Sequence, residues 1–465
     1  MLLTKYSLLI IVFLLTACGG GGGSSDPQPA SGPITTTPPV TDNGAWQEAT
    51  PESKGMDSAI LSSAFDEAFV DGTYTGAALV IKDNTLVYER YRGIFPTEES
   101  TLVNSFGSDS QTLQTLYGNR DKDSLASSWS TAKSFVSVLV AIAIEQGLIE
   151  SIEQSASVYI DEWANDDRAQ ISIRNLLDMR SGLHLVCLDP STNLLGSCPN
   201  DSGGSGGNLV FADNQMDVCI ERHLAETGVS QPWYTAGATY EAGYWVYSNC
   251  DTMVLGEILF RASGQDLETY AETHLFSKIG MTAKWWRDND PSGQVDGNYL
   301  AYCCLDATPR DFAKFGQLLL NNGVWDGEQV IPQSYIEKIK NIVVDSVVNE
   351  QFNGVFSYGL KFWTISPQRQ SDGTFYPPAN TIYSTIGFDG QYIMIDFDNN
   401  MVVVRNSIYY PALNRSDERK MKLNGTDVLT SNFVATLPAG SGMSAVSSYN
   451  NAALLYKVTQ SINPK

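Results

Sequence analysis

Residues 135–144, Phe-Val-Ser-Val-Leu-Val-Ala-Ile-Ala-Ile, carry no charge, and the apolar run ends at Gly147. A helix that is apolar on all sides has to be buried, so this segment predicts a helix at the centre of a core. Directly before it stands Ser130-Thr131-Ala132-Lys133, the one Ser-x-x-Lys of the chain. Residues three apart stack on one helix face, which puts the Ser130 hydroxyl and the Lys133 amine within reach of each other. A serine hydroxyl is a poor nucleophile until a neighbouring base takes its proton. A lysine held against an apolar helix can shed its charge by desolvation and become that base. A solvated serine and lysine on a surface helix would be the plainer meaning of the tetrapeptide, but the run that follows is too apolar for a surface.

The 465 residues, 43% hydrophobic and 17% charged, are enough for one large domain or two medium ones with ample core material. A formal net charge of -23 argues against nucleic acid or an anionic membrane as a partner of the protein body. The N-terminus reads as an export signal. Lys5 supplies the positive start and residues 8–15 an apolar stretch too short to span a bilayer. Leu15-Thr16-Ala17-Cys18 resembles a bacterial lipobox, in which the cysteine is lipidated and becomes the mature N-terminus. Residues 1–18 are then the signal, and residues 19–45, rich in Gly, Ser, Pro and Thr, are a flexible tether. Gly19 after the cysteine, rather than Asp, resembles outer-membrane sorting. The expected location is the periplasmic face of the outer membrane of a Gram-negative bacterium, with the lipid as the only membrane contact.

Six cysteines remain, Cys187, Cys198, Cys219, Cys250, Cys303 and Cys304. An even count in an exported chain reads as disulfides, with the connectivity open. Adjacent Cys303 and Cys304 are expected to bond to two different partners, because disulfide geometry is demanding. The histidines, His184, His223 and His274, show no paired ligand spacing, so no metal and no cofactor are expected.

Two hairpins are legible at opposite ends of the body. Ala78-Leu79-Val80-Ile81 and Leu86-Val87-Tyr88 flank Asp83-Asn84, and Tyr392-Ile393-Met394-Ile395 and Met401-Val402-Val403-Val404 flank Asp398-Asn399-Asn400. They are expected to share one antiparallel sheet. The chain between them is largely helical in pattern, as at 173–177 and 312–320, and residues 445–459 suit a closing helix. Residues 187–240, with a Gly/Ser run and three cysteines, read as a disulfide-stapled surface insertion, either an active-site wall or variable decoration.

Two further elements carry chemistry. Tyr247-Ser248-Asn249 runs straight into a helical pattern at 253–262. A phenol beside an ammonium ionises more readily than a free one, so Tyr247 suits proton exchange with Ser130 and a leaving group. A tyrosine merely packed at a helix start is the alternative. Tyr383-Ser384-Thr385-Ile386-Gly387-Phe388-Asp389-Gly390-Gln391 lies before the last strand pair. Glycine at a strand edge would let a carbonyl substrate approach the backbone, where a free N–H together with that of Ser130 forms an oxyanion hole. Taken alone, the stretch is an ordinary turn.

Ser-x-x-Lys, then Tyr-x-Asn, then a glycine motif on a late strand resembles the serine beta-lactamase and penicillin-binding superfamily. Within it, the chain is similar to class C-related esterases and 6-aminohexanoate-dimer (nylon oligomer) hydrolases. Trp129-Ser130-Thr131-Ala132-Lys133-Ser134, Ile173-Arg174-Asn175-Leu176-Leu177-Asp178-Met179-Arg180-Ser181-Gly182, Ala307-Thr308-Pro309-Arg310-Asp311-Phe312-Ala313-Lys314-Phe315-Gly316 and Gly387-Phe388-Asp389-Gly390-Gln391 carry the likeness, which covers residues 46–465 outside the insertion. It implies an α+β fold in which an antiparallel sheet of N- and C-terminal strands is flanked by helices beside a mainly helical subdomain.

The resemblance also implies hydrolysis through an acyl-enzyme on Ser130. Lys133 and Tyr247 share the proton, with the primary base left open. Asn249 orients Lys133 or the substrate. The N–H groups of Ser130 and Phe388 form the oxyanion hole, and Gly387, Asp389 and Gln391 line the pocket. The family's beta-lactamases carry Lys or His at the first position of the third motif. Here the motif is Thr385-Ile386-Gly387, without a cation, and Asp389 adds a negative charge. A small ester or linear amide is therefore expected as substrate, ahead of a beta-lactam or D-Ala-D-Ala peptide, and ahead of a module that binds cell-wall fragments without turnover.

Overall fold

The computed structural model describes residues 45–106, 109–183, 214–224, 247–288, 297–342, 356–365, 381–387, 390–408 and 451–462, with a few isolated residues and two- to four-residue strand pieces elsewhere. The signal and most of the tether, most of the 187–240 insertion, Phe388 and Asp389 lie outside the described residues.

The seven-stranded sheet is antiparallel throughout. Its strands are β1 (Thr75–Lys82), β2 (Thr85–Tyr91), β3 (Phe356–Gly359), β4 (Phe362–Ile365), β5 (Ile382–Gly387), β6 (Gln391–Asp396) and β7 (Met401–Ser407). Their order across the sheet is β3-β4-β5-β6-β7-β1-β2. The two hairpins at the ends of the sequence do meet: β7 pairs with β1, Val403 opposite Val80. The start of the glycine motif, Thr385 to Gly387, lies within a strand. Gly387 is the last residue of β5 and pairs with Gln391, the first of β6.

Both faces of the sheet are covered, so β1 is buried along its whole length and shows no polar alternation. Leu79 and Ile81 of β1, with Val402 and Val404 of β7, join the larger core with helices α2 (Ala132–Glu145) and α5 (Pro309–Leu320). Ala78 and Val80, with Met401 and Val403, face the other way, onto α1 (Ser58–Ala68) and the closing helix α6 (Asn451–Gln460). The contact of α5 with the sheet is tight: a Cβ on Gly316 would sit 2.6 Å from Val402 Cγ1 and 2.8 Å from Ile393 Cγ2. Helix α3 (Ile173–Leu177), capped by Ser172, packs with α4 (Asn249–Ser263), capped by Ser248, on the far side of α2.

Two turns of the seven-stranded sheet use a pair of left-handed residues. Asp83 and Asn84 (φ 49° and 60°) join β1 to β2 with residue types suited to that geometry. Leu360 and Lys361 (φ 49° and 64°) join β3 to β4 without such suitability, at a cost of roughly 1–2 kcal/mol per residue.

Candidate active site

Ser130 lies in a short 3-10 turn, Trp129–Thr131, that runs into α2. The residue before it, Trp129, is left-handed (φ 46°), a strained conformation that persists only where the surroundings impose it. Ser130 is half-buried, and Lys133 one turn on is buried at 1% exposure. The Lys133 amine Nζ lies 3.0 Å from Ser130 Oγ, 2.9 Å from Asn249 Oδ1 and 2.8 Å from the Tyr302 carbonyl oxygen. It also sits over the Tyr247 ring, 5.0 Å from the centroid. Burial holds this amine well below the usual lysine range, and the charge of Lys361 pushes the same way against the pull of Asp251. A neutral amine has two hydrogens and one lone pair. Asn249 Oδ1 and the Tyr302 carbonyl can only accept, so they take the two hydrogens and leave the lone pair facing the serine hydroxyl.

Helix α4 supplies the second wall. Its capping residue Ser248 fixes the chain on either side, with Tyr247 before it and Asn249 as the first helical residue. The Tyr247 ring is held by Trp363 (centroids 5.8 Å apart), Tyr358 (6.0 Å) and Trp245 (6.1 Å), with the Tyr247 side chain half-exposed to the cleft.

Strand β5 closes the third side. Thr131 Oγ1 lies 3.2 Å from Thr385 Oγ1 and donates to the Gln391 carbonyl at 3.1 Å. A Cβ on Gly387 would fall 2.2 Å from the Ser128 carbonyl oxygen. The glycine is thus required because the nucleophile's own turn approaches the strand, rather than to admit a substrate carbonyl. One expectation is corrected here. The Gln391 side chain does not line a pocket. It is buried at 1% exposure, donates to the Ser407 carbonyl and hydroxyl oxygens at 3.2 and 2.9 Å, and accepts from Asn406 Nδ2 at 3.1 Å. Its amide is consumed in joining β6 to β7. Phe388 and Asp389 fall outside the described residues. Gly390, the next described residue, is held by Arg405, which is buried and donates to the Gly390 carbonyl at 3.1 Å.

A second correction concerns the cysteines. Cys303 and Cys304 bond to each other, with Cα atoms 3.7 Å apart, and Cys304 is left-handed (φ 66°). Cys219 bonds to Cys250. Both bridges sit beside an acceptor of the Lys133 amine: Cys250 follows Asn249, and Cys303 follows Tyr302. The chain just beyond Cys304 also grips the nucleophile's turn, since Ser128 N–H donates to the Leu305 carbonyl at 2.8 Å and Leu305 N–H to Ser128 Oγ at 2.9 Å. Replacing Cys303 and Cys304 together by serine should lower kcat about ten- to a hundredfold through misplacement of Tyr302 and Ser128. Steady-state ester hydrolysis, with circular dichroism as the fold control, checks this; unchanged kcat refutes it.

Three participants were not anticipated from sequence: the Tyr302 carbonyl, Asp251 and Lys361. A backbone acceptor leaves no residue-type signal. Asp251 reads as ordinary first-turn chemistry of a helix. The one available hint for Lys361 is a lysine set inside Tyr358-Gly359-Leu360-Lys361-Phe362-Trp363, where every neighbour is apolar or aromatic.

A family model described as Beta-lactamase matches residues 63–420. The chain belongs to the beta-lactamase family. This is a family of serine hydrolases on one fold, with amidase and esterase relatives. The beta-lactamase-family chain is 23% identical over 349 residues to a 6-aminohexanoate-dimer hydrolase of Paenarthrobacter ureafaciens, covering 73% of this chain and 74% of that enzyme. Among solved structures it resembles a penicillin-binding protein homologue from Caulobacter crescentus (12% identity, TM-score 0.52, 87% of this chain and 97% of that one). It also resembles EstCE1, a hydrolase with promiscuous acyltransferase activity (14% identity, TM-score 0.53, 77% and 94%). At these identities the structural likeness speaks to the fold.

Proposed function

We propose that the protein hydrolyses a small ester or linear amide through an acyl-enzyme on Ser130. The observation that carries this reading is the buried Lys133 amine, which lies 3.0 Å from Ser130 Oγ with two further acceptors, Asn249 Oδ1 and the Tyr302 carbonyl, at 2.9 and 2.8 Å. Ser130 Oγ attacks the carbonyl carbon as its proton passes to Lys133 Nζ. The oxyanion accepts from the backbone N–H groups of Ser130 and Phe388, each such donor being worth about 3 kcal/mol of barrier. The C–O or C–N bond then breaks, the leaving group taking a proton relayed through Lys133 and Tyr247. Water attacks the ester carbon and returns the serine. Asn249 positions the base.

The chemistry of the third motif favours an ester or linear amide over a beta-lactam. Thr385-Ile386-Gly387 offers no cation for a substrate carboxylate, the Thr385 hydroxyl faces Thr131, and Asp389 repels a carboxylate. Turnover of p-nitrophenyl butyrate that vanishes in Ser130→Ala, with a stoichiometric fluorophosphonate adduct on Ser130 in the unmodified protein, is the expected result. Turnover that survives Ser130→Ala, or that appears with a chromogenic cephalosporin and no ester or amide, overturns the reading.

We further propose that Cys18 carries a lipid that tethers this activity to the outer membrane, on the support of the Leu15-Thr16-Ala17-Cys18 signal and the tether after it. Cys18→Ser should move the protein from the membrane fraction to the soluble fraction. An unchanged distribution counts against the anchor.

A further inference from the structure

The β3–β4 turn has a backbone committed to the nucleophile helix. Ser134 Oγ and Ser137 Oγ of α2 donate to the Lys361 and Leu360 carbonyls, each at 2.6 Å, and Lys361 N–H donates to the Leu177 carbonyl at 3.0 Å. Turns of this kind normally use Gly or Asn, yet here a left-handed lysine is retained and its side chain is buried at 1% exposure. Strain kept at such a position points to a use for the side chain.

That side chain belongs to a buried set of two amines and one carboxylate that touch neighbours rather than each other and act on one another through charge. Lys361 Nζ lies 3.1 Å from Met179 Sδ, a weak acceptor that leaves most of its charge unanswered. Asp251, fully buried two residues after Asn249, accepts from Ser181 Oγ at 2.7 Å, while its Oδ2 has no hydrogen-bond partner among the described residues. Lys133 has its own acceptors in Asn249 and Tyr302. One carboxylate can balance one ammonium. Resting on the hydrolase reading above, we propose that Lys361 is a positioning residue of the site, which answers the charge of Asp251 and so leaves the Lys133 amine free to take the Ser130 proton.

The charges around each group agree with that division. Burial pushes the Lys361 ammonium down to about 7, with Asp251 the chief opposing charge and Asp178 the next. On Lys133, the charge of Lys361 outweighs the pull of Asp251. The other ionisable groups facing the cluster are Tyr247 and Tyr302 against Lys133, Tyr358 beside Tyr247 and Asp251, and Asp178, whose Oδ2 is 3.6 Å from Arg174. Asp178 is engaged by Arg174 and by the Leu360 N–H at 2.7 Å. Asp251 is therefore the carboxylate whose pull on Lys133 would go unopposed if Lys361 were absent.

A base must be unprotonated, so activity rises with pH through the Lys133 titration. The pH profile of kcat/KM for p-nitrophenyl butyrate reads this limb directly. Lys361→Gly and Lys361→Asn both suit the left-handed turn, so both should fold. Each is expected to move the acid limb to higher pH, with kcat/KM about tenfold lower at neutral pH and recovered in alkali. Asp251→Asn should move the limb the other way, and the Lys361→Asn/Asp251→Asn double variant should bring it back close to the unmodified protein. A limb that stays in place in the folded Lys361 variants, or a loss equal at every pH, overturns the proposal. Ser130→Ala in the same assay separates the two claims. Turnover lost there together with an unmoved limb overturns the role of Lys361 alone; turnover that survives Ser130→Ala overturns both.

Discussion

Lys133→Ala should lower the acylation rate about a hundred- to ten-thousandfold, the span expected when a positioned proton acceptor is removed, while the protein stays folded. Lys133 Nζ lies 3.0 Å from Ser130 Oγ, and in its neutral form Asn249 Oδ1 and the Tyr302 carbonyl can take its two hydrogens and leave its lone pair for the serine proton. The stability cost is modest by comparison. Truncation leaves the buried Tyr302 carbonyl without its donor, worth about 1–3 kcal/mol, and it also removes an amine that burial disfavours in its charged form. Stopped-flow acylation by an activated ester, read beside thermal unfolding, separates the two effects. A near-normal burst rate in a folded variant would refute the role of Lys133 and pass the proton to Tyr247.

How much of this was legible without coordinates depends on how local each signal is. The Ser130–Lys133 pair follows from helix periodicity, and the helix after it from an uncharged run; both are properties of adjacent residues. The hairpins at 75–91 and 391–407 were readable because Asp83-Asn84 and Asp398-Asn399-Asn400 mark turns between β-branched runs. The β3–β4 hairpin is not legible because its turn, Leu360-Lys361, uses residues that do not announce a left-handed pair. The Cys303–Cys304 bridge is illegible for a related reason. Its ring depends on a backbone conformation, with Cys304 at φ 66°, that composition does not encode. From its place in a motif, Gln391 reads as a pocket residue. Its role is decided by Asn406 and Ser407 on the neighbouring strand, which no local window contains.

Gly387→Ala should cost about a hundredfold or more in kcat, the scale associated with an ångström of misplacement in a reacting group. The added methyl would lie 2.2 Å from the Ser128 carbonyl oxygen and 2.8 Å from Gln391 Cβ. Neither neighbour can yield easily. Ser128 is tied to Leu305 by two hydrogen bonds, at 2.8 and 2.9 Å, and Gln391 is fixed to Ser407. The strand end must therefore move away from the nucleophile's turn and stretch the Thr131 contacts to Thr385 and Gln391. Those contacts set the spacing between the nucleophile's turn and the end of strand β5, so kcat should fall far more than KM rises. The buried amine of Lys133 is untouched, and the acid limb of the pH profile should stay where it is. Steady-state kinetics across pH tests both halves. Activity retained in Gly387→Ala would mean that the spacing between strand β5 and the nucleophile's turn does not set the rate.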